Sequence, residues 1–127
     1  MTKLNKPILC MDFDGVIHSY TSGWTRADEV RDPPVPGAMD FLREATQHFR
    51  VAIFSSRSNQ PGGLNAMQEW LFRYAELTHP YSSWRHEIEW PTEKPSAKVS
   101  IDDRAITFTG VWPDIQTLLS FKPWNKP

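Results

Sequence analysis

A short apolar run, Ile8-Leu9-Cys10-Met11, stops abruptly at Asp12-Phe13-Asp14-Gly15. It shows no alternation and is too short for an ordinary helix, so it reads as a strand buried on both faces. Two more runs of this kind follow. Val51-Ala52-Ile53-Phe54 ends in Ser55-Ser56-Arg57, and Val99-Ser100-Ile101 ends in Asp102-Asp103. Between them, apolar residues recur at helical spacing: Ala38, Phe41, Leu42 and Ala45, then Leu64, Met67, Leu71, Tyr74 and Ala75 after Gly62-Gly63. Trp70 and Leu77 on the second of these segments also read as core. Strands alternating with helices imply an α/β fold with a parallel sheet covered on both faces. In such a sheet the carboxyl ends of the strands share one edge, where open α/β folds present their ligands.

The 127 residues suit one domain, 1–127, able to bury roughly two-thirds of its unfolded surface. Gly23 and the prolines make residues 16–36 a looped flap, hairpin-like in character. Residues 78–95 read as irregular with a short strand at 87–90. Residues 106–108 read as a last strand, and 113–121 as a closing helix begun at Trp112-Pro113. The tail, 122–127, is expected to fray. A net charge of −1 excludes a strongly basic nucleic-acid scaffold. The lone Cys10 reads as a small core residue, and a fold without an internal disulfide fits a reducing, cytoplasmic compartment. The first apolar run ends too soon for a signal peptide, and no stretch approaches the ~20 apolar residues of a membrane span.

Placed at the end of a strand, Asp12 and Asp14 project to the same side, with Phe13 opposite. Like charges that close need a cation or a proton between them. Adding Asp102 and Asp103 brings four carboxylates to one edge. A hard divalent ion answers that charge, and Mg²⁺ in particular uses one or two carboxylates together with substrate phosphate. Asp12 and Asp102 are the expected side-chain ligands, with Asp14 offering its backbone carbonyl and keeping its side chain free. Lys94 and Ser55 would then neutralise and hydrogen-bond phosphoryl oxygens. Asp12 is placed to attack phosphorus and Asp14 to move the protons.

The order of these elements resembles the haloacid dehalogenase superfamily. Asp12-Phe13-Asp14-Gly15-Val16 matches its DxDG[VT] motif, Val51–Ser55 its strand ending in Ser or Thr, Lys94 its lysine, and Ile101-Asp102-Asp103 its strand ending in DD. The resemblance covers residues 8 to about 110. It implies a Rossmann-like α/β/α sandwich of strand order 5-4-1-2-3. It also implies Mg²⁺-dependent phosphoryl transfer through the first Asp, and a phosphatase rather than a dehalogenase because the second Asp is present. Ser56 competes with Ser55, which is preferred because it directly follows the apolar run. Lys98 competes with Lys94, which is preferred because Lys98 would start the strand, far from its carboxyl end. Asp103, Arg57, Gly15 and Ser56 are expected around the centre as supporting or substrate contacts. Neither gap between motifs has room for a cap domain. A capless site suits a large substrate such as a protein or nucleic-acid end, or a homo-oligomer whose neighbouring subunit closes it.

Blander readings compete at each position. A lone DxDG also occurs in calcium loops, but Ile17, His18 and Tyr20 do not supply the ligands such a loop needs. Of the histidines, only His18 is expected near the pocket; His48, His79 and His86 show no ligand spacing. Most of the six tryptophans are expected in the core or at interfaces, and Trp24 either seals the flap or stacks on a substrate ring. The leading function is a phosphatase acting on a phosphate monoester, small or macromolecular. The alternatives are a nucleic-acid 3′-end phosphatase of the same fold and a receiver-like module that accepts phosphate without turnover. The order of Lys94 and the DD pair disfavours the receiver.

Overall fold

The computed structural model describes residues 5–126. It is an α/β protein with a small, open, three-stranded parallel sheet: β1 (Ile8–Met11), β2 (Arg50–Ile53) and β3 (Val99–Ile101), in the order β2-β1-β3. Three α-helices accompany it among the described residues: α1 (Ala38–His48), α2 (Gly63–Thr78) and the short α3 (Ile115–Leu119). The register sets Leu9 beside Val51 and Val99, Cys10 beside Ala52 and Ser100, and Met11 beside Ile53 and Ile101.

These rows give the sheet two unlike faces, because paired residues share a face and alternate along the strand. On one face Leu9, Met11, Val51 and Ile53 join Met39, Leu42 and Ala45 of α1 and Met67, Trp70, Leu71 and Ala75 of α2 in a single apolar core. Phe13 and Ile17, just beyond β1, complete it. The opposite face carries the small side chains of Cys10, Ala52 and Ser100. Cys10 is buried as expected, but it stands outside this core, lining a cavity with Ser100. Leu77, expected in the core, is 71 % exposed because α2 turns it away from the buried stripe.

Both long helices thus serve one face. The chain passes from Glu89 to β3 through residues 90–98, which form no helix and contain Pro91 and Pro95. Proline and so short a stretch leave no room for a covering helix. The strand expected at 87–90 shrinks to one bridge, Glu89 to Ala52, because a 3-10 turn takes Trp84–Glu87 and Pro91 follows at once. Arg50 clamps that bridge with two bonds to the Glu89 carboxylate, 2.9 and 2.8 Å. Residues 106–108, expected as a strand, pair with nothing among the described residues, so β3 is an edge. The closing helix is α3 alone, started by Asp114, whose carboxylate accepts from the Thr117 N–H.

The flap is a loop with a two-stranded base: Ser19 N–H donates to Pro33 O and Val35 N–H to Ile17 O. The tail, expected to fray, is tied down over its described residues, 122–126; residue 127 lies outside the described residues. Trp124 Nε1 donates to Gly15 O at 2.8 Å and Asn125 to Ser19 O at 3.0 Å, so the tail lies across the flap's root. No helix among the described residues is long and apolar enough to cross a membrane.

Candidate active site

The sheet's hydrogen bonding runs one residue past the strands. Asp12 N–H donates to Ile101 O at 3.0 Å and Phe54 N–H to Met11 O at 3.1 Å. These two bonds set the residues that follow each strand side by side: Asp12, Ser55, and Asp102 with Asp103. A cavity of about 170 Å³ opens there, lined by Asp12, Ser55, Ser56, Lys94 and Asp102 among others. A second, of about 130 Å³, adjoins it and shares Asp12, Ser55 and Ser56, adding Asp14, Tyr20, Trp24, Asp103 and Arg104. Lys98 sits at the other end of the sheet, its N–H bonded to Ile8 O.

Asp12, Asp102 and Asp103 each bring a carboxylate oxygen to within 4.8 Å of the others. Burial lifts the Asp12 carboxyl to about 7; Asp102 and Asp103 push the same way, against a hydrogen bond from the Phe13 backbone. Oδ1 of Asp103 is buried without a hydrogen-bond partner. Three crowded carboxylates, one of them carrying an orphaned buried oxygen, make a donor set that suits a hard cation. Asp103, expected as a supporting or substrate contact, belongs to this cluster. The Asp14 side chain does not.

Asp14 is instead held from two sides. His18 Nδ1 lies 2.8 Å from its Oδ1, and Arg57 Nε donates to its Oδ2 at 2.9 Å. His18 Nε2 accepts from the Asp32 N–H at 3.0 Å, which places the neutral ring's proton on Nδ1, facing Asp14. Burial alone would raise the Asp14 carboxyl, but the bonds from His18 and Arg57 prevail and hold it below the ordinary carboxylate range. Its side chain is therefore not free, contrary to the sequence expectation.

Of the two places expected for Arg57, supporting or substrate contact, it takes the supporting one through its ion pair with Asp14. It is 1 % exposed, and its Nη1 donates to the carbonyls of Arg26, Ala27 and Glu29. Trp24 lies over its guanidinium at 4.8 Å, sealing the flap from outside while lining the smaller cavity. Sequence reasoning missed this keystone role because the flap carbonyls lie about thirty residues away along the chain, and nothing local signals them.

Ser55 is buried, and its Oγ accepts from the Arg57 N–H at 3.2 Å, leaving its own hydroxyl proton to donate elsewhere. Ser56 is exposed on the rim of both cavities. Gly15 turns the chain at φ +84°, and a side chain there would fall on the Asp103 carboxylate. Only glycine lets β1's loop approach the DD strand so closely. Among family models, curated proteins and solved structures, none matches this chain.

Proposed function

We propose that the protein is a Mg²⁺-dependent phosphatase of the haloacid dehalogenase kind, hydrolysing a phosphate monoester through an aspartyl-phosphate on Asp12. One observation carries this reading: Asp12, Asp102 and Asp103 gather at the carboxyl ends of the two adjacent strands, beside a cavity that also meets Ser55 and Lys94. On this reading Glu89, β2, β1 and β3 take places 3, 2, 1 and 4 in the order 5-4-1-2-3, and the place beyond β3 stands open.

The aspartate cluster would hold the metal, whose chemistry there is to neutralise phosphoryl oxygens and polarise the phosphorus. Lys94, lining the same cavity, supplies a cation, and the Ser55 hydroxyl donates to a phosphoryl oxygen. The Asp12 carboxylate attacks phosphorus; the phosphorus–ester bond breaks and the leaving oxygen takes the electron pair. Water then attacks the aspartyl-phosphate, releasing inorganic phosphate and restoring Asp12. Asp14, lining the adjoining cavity, is held ionised by His18 and Arg57, which suits it to accept the proton of that water.

Steady release of phosphate from an aryl phosphate in the presence of Mg²⁺, abolished in Asp12→Asn and by chelation, is the expected result. Turnover that survives Asp12→Asn overturns the mechanism. A stable phosphorylated protein without turnover would favour the receiver-like reading instead.

A further inference from the structure

Residues 105–121 hold a single charged side chain, Asp114, and its carboxylate is engaged at the start of α3. Along this segment Ile106, Phe108, Val111, Trp112, Ile115 and Leu119 are between 50 and 83 % exposed. At about 200 Å² for a fully exposed large side chain, they present on the order of 800 Å² of apolar surface. That exceeds the ~300–600 Å² of the largest patch on a typical monomer and equals the ~800 Å² each partner gives to a standard interface. The surface is concave as well: a groove of about 690 Å³ runs between Ile106 and Leu118. Phe108 and Trp112 pack ring against ring at 4.7 Å along it, so its walls are set before any partner arrives.

The geometry points to a second copy of this chain as the occupant, seated through the same segment about a two-fold axis. A two-fold contact brings identical patches together, and interfaces between identical chains are the most apolar and charge-poor class. The patch meets that description. It has no Lys or Arg to attract nucleic-acid phosphates or an anionic lipid surface. The segment also starts and ends against the aspartate site: Arg104 lines the smaller cavity, and Trp124 is bonded to Gly15 O. The dimer thus forms beside the site without consuming any of its residues.

Light scattering on the full chain should give about twice the 14.7 kDa of one copy, falling towards the single-chain mass on dilution. Val111→Glu and Leu119→Glu should each halve that mass while leaving the far-ultraviolet circular dichroism unchanged. Tyr81→Glu, at a still more exposed position outside the patch, should leave the dimer intact. Hydrogen exchange on the wild type should show protection of residues 106–121 rising with protein concentration, which decides the matter even if a variant unfolds. A single-chain mass at every concentration, exchange at 106–121 that ignores concentration, or a dimer that survives both Glu variants overturns the proposal. None of these readouts depends on phosphatase activity.

Discussion

At the scale of single residues, the two aspartates of the first motif have opposite electrostatic fates, and each has a measurable consequence. Asp12 has a folded pKa of about 7 against an ordinary value of 3.8. Between those values the folded protein keeps a proton that the unfolded chain has released, so this residue's contribution falls as pH rises through the window. Asp12→Asn should therefore inactivate the protein and yet, in chelator, make it more stable than the wild type at pH 8. A gain of about 2 kcal/mol there, vanishing near pH 4, is expected in urea titrations, allowing for partial solvent access. Asp14 has the reverse sign: its lowered pKa adds stability above the ordinary carboxylate range, and that stability is lost as pH falls through its folded value. A carboxylate so held stays ionised and has almost no proton to give a leaving oxygen. Aryl phosphates with strongly acidic leaving groups should thus turn over far faster than alkyl phosphates, and a rate insensitive to leaving-group pKa would count against Asp14's assigned role. Arg57→Ala strands the Asp14 charge and frees three flap carbonyls at once. It should cost about 3–5 kcal/mol by chemical denaturation, because a buried ion loses its partner.

At the scale of elements, the motif strands were legible because each is a short apolar run with a sharp polar stop, and β1, β2 and β3 form where those runs lie. The helices were legible through their periodicity, and Gly62-Gly63 marks the start of α2. A side chain at Gly63 would strike the Arg57 carbonyl, so the helix can pack against the site loop only with glycine there. The failures fall on elements that depend on a distant partner. Residues 87–90 and 106–108 have strand-like composition, but a strand of three or four residues forms only where a neighbour supplies its hydrogen bonds. The tail is the converse case, since its order comes from Trp124 reaching Gly15 across more than a hundred residues. Trp124→Phe removes that bond while keeping the ring. Faster hydrogen exchange at residues 15–20 and a loss of about 1 kcal/mol are expected.

At the scale of the whole molecule, the fold is one-sided: both long helices serve one face, Cys10 and Ala52 on the other are nonetheless buried, and the edge at β3 stays open. That openness makes the aspartate site accessible from solvent and leaves the apolar segment after it unpartnered. A cation at the site would join β1 to β3 and stabilise the whole fold through linkage. With Mg²⁺ at a hundred times its dissociation constant, thermal unfolding should shift by about 2.7 kcal/mol. The shift should disappear in Asp12→Asn, and its absence in the wild type would remove the metal from the mechanism.

The sequence by itself determined the α/β class, the parallel sheet and the meeting of Asp12, Ser55, Lys94 and the DD pair at one edge. Apolar runs and helical periods are local signals, and strand direction in a parallel sheet then places all the carboxyl ends together. Only the tertiary structure decided which of those groups touch. It drew Asp103 into the cluster, turned Asp14 towards His18 and Arg57, buried Arg57 beneath the flap and left residues 105–121 uncovered. Asp103 meeting Asp12, and Arg57 meeting Asp14 and the flap, rest on contacts between segments far apart in the chain, and such contacts are set by packing, which leaves no mark in local composition.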